Sequence, residues 1–319
     1  MIKDINIAAL FSIIKKGNTL IIVKKKYKDQ LLKQGIETPH NMCLNSTSTE
    51  FFKGREKIPS VLIQGTDNEK MVIKHYTRGG FARKFSKDIF WGKLRPIKEL
   101  KVLEEARLRN IQTAEILAVI IHKMPGFFYK AHLVSKVIPG GLDLKTYIEK
   151  LNQTTKSRRL SKKRQAIISV AKAVRNMHDK GIYHADLNMK NIVIQKKSDD
   201  LPVSYIIDFD KSTITGHLSS RNKFKNLFRL NRSADKLIKK GITITKTDRY
   251  RFFKEYLNND INLKLNIHIF ERGYSKHQKA HNLGRKLFGM INLNKKNKYS
   301  CLVSTYAASF FEMINMASM

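Results

Sequence analysis

The stretch His184-Ala185-Asp186-Leu187-Asn188-Met189-Lys190-Asn191 sets an aspartate five residues ahead of an asparagine, and Asp208-Phe209-Asp210 brings another carboxylate 22 residues after the first. That order suits phosphoryl transfer. One carboxylate accepts or orients the proton of an attacking hydroxyl, while an amide oxygen and a second carboxylate hold Mg²⁺ on the phosphates of ATP. Asp186 is the candidate base, and Asn191 and Asp208 are the candidate metal ligands. Asp210 is open between a second metal ligand and a cap on the next turn. A lone Asp-Leu-Asn tripeptide reads as a loop that satisfies its own backbone. Here, however, Ile192-Val193-Ile194 and Val203 to Ile207 are β-branched runs beside each motif, as expected for a hairpin beneath an active site.

Such a site needs a cation on the α/β-phosphates, steadied by a carboxylate from a nearby helix. Lys74 falls in the apolar run Met71–Tyr76, which reads as a strand, and Glu99 falls in the first turns of a helix that Pro96 starts and Arg109 ends. Taken alone, Lys74 is one more surface lysine; the downstream loop makes it the candidate phosphate ligand. Glu104 and Glu105 are competing partners a turn or more further on. The phosphate-covering loop is weakly marked, because residues 53–59 hold a single glycine, Gly54, with Arg55 and Lys57 as substitutes by charge.

The surrounding pattern predicts the layout. Leu20–Val23 reads as a strand and Tyr27–Gln34 as a short helix closed by Gly35. Phe51-Phe52, Ser60–Gln64 and Met71–Tyr76 form an antiparallel meander, and Ile116–His122 and Phe128–Val137 form two more strands. After Pro139-Gly140-Gly141 the pattern turns helical, over Leu142–Leu151 and over Lys163–Lys180, which ends at Gly181. The expected fold class is α+β: a bilobal, protein-kinase-like fold with a β-rich lobe carrying one helix, a mainly helical lobe, and ATP in the cleft. The expected divisions are an extension over 1–45 packed on the first lobe, that lobe over 46–138, and a second lobe over 139–319 with a C-terminal helical extension.

The chain has 319 residues, 42% hydrophobic and 28% charged, which suits a globular protein with a large core. Its net charge of +36 asks for an anionic partner, whether nucleic acid, an acidic membrane face or a phosphorylated substrate, or else reflects a drift toward lysine on every surface. Cys43 and Cys301 lie far apart, which argues for a reducing compartment and against a disulfide framework or a zinc site. Ile7–Ile14 is apolar but follows a mixed-charge start with no cleavage site, and Tyr299–Met319 is broken by Glu312 and Asn315, so neither a secretory signal nor a span is expected. A cytoplasmic protein is the reading.

Several further segments carry a resemblance. They are His75-Tyr76-Thr77-Arg78-Gly79-Gly80, Arg95-Pro96-Ile97-Lys98-Glu99, Ile138-Pro139-Gly140, His184 to Asn191, Ile207 to Asp210, Asn226 through Leu237, and Asp248 to Leu257. Together they resemble the lipopolysaccharide kinases, most closely the 3-deoxy-D-manno-octulosonic acid (Kdo) kinase branch, over roughly residues 50–257. The resemblance implies an ATP- and Mg²⁺-dependent sugar kinase acting on Kdo–lipid A, peripheral at the cytoplasmic face of the inner membrane. It implies Asp186 as base, Asn191 and Asp208 as metal ligands, and Lys74 with Glu99 as the phosphate-orienting pair. Lys136 and Ile138 at the joint complete the ATP-binding set. Ala185 departs from the many kinases that carry arginine there, so no phosphorylated activation loop is expected to be gripped.

Kdo–lipid A carries carboxylate and phosphate groups above a hydrophobic anchor. Arg78, Arg229 and Arg232 are the candidate acceptor ligands, since guanidinium forks bind such groups in two places. Lys24-Lys25-Lys26, Lys162-Lys163-Arg164 and Lys239-Lys240 would favour an anionic membrane surface. Two other readings compete. One is a kinase of another acceptor: a core heptose, a small metabolite or a protein. The other is a non-catalytic, kinase-like protein that binds RNA or membrane by charge. The second is disfavoured because all five catalytic positions hold competent residues and no nucleic-acid motif with interleaved aromatics is present.

Overall fold

The computed structural model describes residues 7–39, 42, 50–53, 57–77, 88–196, 201–258 and 260. Gly54 to Glu56, Arg78, both cysteines and the segment 299–319 lie outside the described residues. A short helix α1 (Ile7–Leu10) leads into strands β1 (Phe11–Lys16) and β2 (Thr19–Lys24), then helix α2 (Lys28–Lys33). Strands β3 (Glu50–Lys53), β4 (Lys57–Leu62), β5 (Lys70–His75) and β6 (Phe90–Trp91) precede helix α3 (Arg95–Leu108). Strands β7 (Ile116–Lys123) and β8 (Phe128–Lys136) complete an eight-stranded sheet of order β1-β2-β7-β8-β5-β4-β3, with β6 paired to β8.

β3, β4 and β5 form the expected meander, pairing antiparallel in sequence order. Residues 11–24 belong to the same sheet, β2 pairing with β7 in register Ile21↔Ile120. β7 is buried on both faces through Ile121, because apolar layers cover the sheet on each side. On one side Leu100, Leu103 and Ala106 of α3 pack onto it. On the other, Tyr27, Leu31 and Ile36 do so. Pro96 at the start of α3 has no helical amide to lose, which is why the helix begins there.

The second half holds β9 (Leu142–Asp143), α4 (Leu144–Leu151), α5 (Lys156–Asp179), β10 (Ile182–Tyr183), β11 (Ile192–Gln195), β12 (Val203–Ile206), β13 (Thr213–Ile214), α6 (Ser220–Ile238) and α7 (Lys246–Leu257). Two expected boundaries shift. Leu142 and Asp143 are not helical: they pair with β11, and Asp143 then caps α4 through the Thr146 amide. α5 starts at Lys156, seven residues before the expected Lys163, because its first turns are polar and carry no apolar stripe. Gly181 ends the approach to the active-site loop with φ +74°. A Cβ there would lie 2.1 Å from the Thr215 carbonyl oxygen, so only glycine fits. Among the described residues no helix is long and apolar enough to cross a membrane. The apolar core runs continuously from α3 and the inner face of the sheet to α5, α6 and α7.

Candidate functional site

The loop from His184 to Asn191 is held from beneath. Asn226 of α6, fully buried, clamps the His184 backbone at both ends: its Nδ2 donates to the His184 carbonyl (2.7 Å) and its Oδ1 accepts the His184 amide (3.1 Å). The same Oδ1 accepts from His178 Nε2 (3.1 Å), and His178 Nδ1 accepts from the Tyr256 hydroxyl of α7 (2.7 Å). Complete burial pushes His178 down to about 3, so it stays neutral and this chain of donors has one direction. The His184 ring is fixed in the same way. Its Nδ1 accepts the Asp186 amide (3.1 Å), so its Nε2–H donates to the Ile207 carbonyl (3.0 Å), and burial keeps the ring neutral. One imidazole thus ties the strand before Asp208 to the residue that carries the candidate base.

Ser212 and Ser233 satisfy the amides of Ala185 and Met189, both at 3.1 Å. The Asp186 carbonyl accepts from Asn188 Nδ2 and from Asn191 Nδ2, each at 2.9 Å. The second of these matters for metal binding: with its nitrogen spent on the loop, Asn191 presents its oxygen, the atom a hard cation takes. The Asp186 carboxylate is about half exposed, and Arg229 of α6 approaches it at 3.4 Å.

Across the cleft, Lys74 of β5 lies between two carboxylates. Its ammonium is 2.7 Å from Asp208 Oδ1 and 3.7 Å from Glu99 Oε1. Burial alone would lower the Lys74 pKa, but Glu99 and Asp208 together hold it up, and Lys74 in turn holds Asp208 below the usual carboxylate range against burial. Burial pushes Glu99 up in spite of Lys74, and the Tyr76 hydroxyl donates to its other oxygen. Asp208 is set by a left-handed backbone, φ +65°, a conformation aspartate tolerates better than most residues. The fit to Mg²⁺ follows from the donors: one ionised carboxylate and one amide oxygen. Among the described residues there is no cluster of three or more His, Cys, Asp or Glu able to hold a metal.

The structure brings together Lys74, Glu99 and Asp208 on one wall and Asp186, Asn191 and Arg229 on the other. Lys136 joins neither group. Its ammonium pairs with Glu69 (2.5 Å) and the Tyr27 hydroxyl (3.3 Å), and its amide donates to the Glu115 carbonyl (2.8 Å). The Ile138 carbonyl there accepts the Gly141 amide at 3.0 Å. Arg232 lies one turn from Arg229 on α6 and is half-buried. Arg78 lies outside the described residues.

Two features were not anticipated by residue type. Arg95, first in α3, forks onto both oxygens of Asp210, with Nε 2.5 Å from Oδ1, and its guanidinium lies 5.5 Å from the Phe90 ring and 5.9 Å from that of Tyr76. Asp210 is therefore committed to an arginine from the β-rich half. The second is the Asn226–His178–Tyr256 chain. For Arg95 a signal existed: it stands four residues before Glu99, on the same helical face.

A sequence profile of the lipopolysaccharide kinase (Kdo/WaaP) family matches residues 54–256, more than half of the chain. The 3-deoxy-D-manno-octulosonic acid kinase of Vibrio cholerae serotype O1 is 33% identical over 175 residues, 53% of this chain and 68% of its own length. Its counterpart from Photobacterium damsela subsp. piscicida is 32% identical over 198 residues, 58% of this chain and 76% of its own. A solved structure titled "WaaP in complex with acyl carrier protein" shares the fold with a TM-score of 0.50 at 16% identity, covering 80% of this chain and 98% of that one.

Proposed function

The chain belongs to the lipopolysaccharide kinase (Kdo/WaaP) family, and we propose that it transfers the γ-phosphate of ATP to a hydroxyl of the Kdo residue of Kdo–lipid A, with Mg²⁺, at the cytoplasmic face of the inner membrane. In this reading the eight-stranded sheet half, which takes in residues 11–24 as well as the stretch up to 138, is one lobe, the half from residue 139 onward is the other, and the cleft between them takes the nucleotide. ATP would supply the phosphoryl group, and Mg²⁺ would neutralise charge on its phosphates. Asn191 and Asp208 would hold that ion. Lys74 turns from Asp208 to the phosphates, and Glu99, fixed by the Tyr76 hydroxyl, keeps it extended. Asp186 accepts the proton of the acceptor hydroxyl. Arg229, 3.4 Å from that carboxylate, holds it in place and meets the acceptor's own anions together with Arg232, and Arg78 is assigned the same role by its residue type.

The observation that carries this reading is the Lys74 ammonium held 2.7 Å from Asp208, because a strand lysine and an Asp-Phe-Asp carboxylate 134 residues apart in sequence have no structural need to meet. The test sets labelled ATP against Kdo–lipid A, core heptosides and casein side by side. Label on Kdo–lipid A alone is the expected result. Label on a heptoside alone moves the reading to another core sugar, and no label on any of them overturns it.

A further inference from the structure

We propose that the aromatic end of the sheet, Trp91 with Phe127 and Phe128, inserts into the interfacial layer of an anionic lipid bilayer and carries the cleft to its acceptor. The proposal rests on the reading above, that the acceptor is a membrane glycolipid. Strand alternation separates two kinds of aromatic here. Phe90 and Tyr129 point inward, buried and stacked with centroids 5.7 Å apart. Their neighbours Trp91 and Phe128 are cross-strand partners on the opposite face, 69% and 48% exposed, and Phe127 in the adjoining turn is 78% exposed. Water gains nothing from three large rings side by side, whereas the headgroup region of a bilayer favours tryptophan and phenylalanine.

The charge around the rings matches an anionic surface. Lys93 and Lys123 flank them and are exposed. The β1–β2 turn lies alongside, its Asn18 carbonyl accepting the Lys123 amide at 2.8 Å, and it adds exposed Lys15 and Lys16. Lys16 is paired with Glu37 at 3.0 Å, and Asp88 near the same end is taken by Lys130 at 3.0 Å. A net charge of +36 disfavours a second copy of the chain as the occupant and favours acidic lipid.

The position suits the chemistry. The Tyr129 hydroxyl donates to the Lys93 carbonyl (3.0 Å) and accepts the Arg95 amide (3.1 Å), and Arg95 grips Asp210. Trp91 is four residues before Arg95 in the chain, at most roughly 14 Å even if fully extended. A tip sunk about 5–10 Å into the interface therefore leaves the Asp-Phe-Asp side of the cleft close above the headgroups, where the sugar of an embedded glycolipid stands.

Trp91 is the only tryptophan, so its emission reports on this tip alone. The full chain would be titrated with phosphatidylglycerol/phosphatidylethanolamine vesicles and with phosphatidylcholine vesicles, then with vesicles bearing brominated acyl chains. A blue shift and bromine quenching on the anionic vesicles, weakened by salt, is expected. Phe127→Asp with Phe128→Asp should lower vesicle partitioning by about tenfold or more, and Phe127→Ser by less. Both should leave phosphorylation of a deacylated, water-soluble Kdo acceptor unchanged. Sedimentation of the protein with vesicles while Trp91 emission stays fixed overturns the proposal. So does a blue, concentration-dependent emission without lipid, which would mean self-association. If the soluble acceptor is never phosphorylated although Trp91 responds to lipid, the acceptor assignment fails while the docking surface stands.

Discussion

The ion pair between Arg95 and Asp210 makes a quantitative prediction, because it joins the helix that carries Glu99 to the segment that carries Asp208. Charge-assisted hydrogen bonds contribute about 1.5–3 kcal/mol each. Both side chains keep some exposure, 29% and 19%, so solvent screens part of that. A coupling of about 2–3 kcal/mol is what remains, or roughly 30- to 150-fold in kcat if it is felt fully in the transition state. Arg95→Gln and Asp210→Asn should each fall in this range. Arg95→Gln should be slightly worse, since it also loses the contacts with the Phe90 and Tyr76 rings. The double variant should be no worse than Arg95→Gln alone, and the Mg²⁺ requirement should not move in any of the three. The assay is steady-state kinetics with Mg²⁺ varied, together with the melting temperature of each nucleotide-free protein. Additive losses would refute the coupling. A shifted Mg²⁺ requirement in Asp210→Asn but not in Arg95→Gln would make Asp210 a metal ligand after all.

Asp186→Asn should preserve folding and ATP binding and cut turnover by roughly 10²- to 10⁴-fold, the range for loss of a general base; near-normal turnover in the purified variant would remove the assignment. Asp208→Ala should weaken nucleotide binding far more with Mg²⁺ than without, and calorimetry showing equal loss in both would contradict a ligand role. Arg229→Ala with Arg232→Ala should raise KM for the anionic acceptor and leave KM for ATP nearly unchanged; the reverse pattern would move these arginines to the nucleotide side. His178 gives a pH dependence of stability. Its folded pKa is about 3 against an ordinary value of 6.5, so the unfolded chain takes up the proton first as pH falls. Its contribution is complete above 6.5 and is lost downward toward about 3, reaching about 1.4 kcal/mol at about pH 5.5. His184, also held neutral by burial, adds a loss of the same sign. Chemical denaturation at two pH values should therefore show a smaller acid loss for His178→Gln than for the wild type, and equal losses would mean that His178 is not the titrating group.

The parts of the site that could be read from sequence are those whose chemistry fixes their spacing. In the proposed reaction Asp186, Asn191 and Asp208 would meet one ion and one hydroxyl, and a short loop and a hairpin set their separation within narrow limits. Lys74 was legible for a related reason: strand alternation and a helix start at Pro96 leave few ways to bring a lysine and Glu99 together. The structure adds that Lys74 is hydrogen-bonded to Asp208 and only in longer contact with Glu99, a balance that no pattern of residues encodes. The pairing of the Lys136 ammonium with Glu69 could not be read from the sequence, because it depends on a loop 67 residues away. The strand Phe11–Lys16 was hidden by its lack of clean alternation, since Ile13 is exposed and only Phe11 is fully buried.

What stayed hidden in the second half is a matter of reach rather than residue type. Asn226, His178 and Tyr256 come from three helices and meet only through the packing of α5, α6 and α7. Each has an ordinary bland reading: a polar residue on a helix, a histidine near a helix end, an aromatic on an apolar stripe. Their joint effect is specific. An asparagine that binds both the N–H and the C=O of one residue holds the two peptide units flanking His184, restricting the loop in rotation as well as in position, and those backbone groups fix which amide atom faces the neutral histidine behind it. The candidate base is thereby aimed by groups that never approach the substrate. A loop bearing a half-exposed aspartate needs such support, because among the described residues Arg229 alone meets the carboxylate on its solvent side. The aim of Asp186 is thus set in the core of the helical half, while its charge is met at the surface.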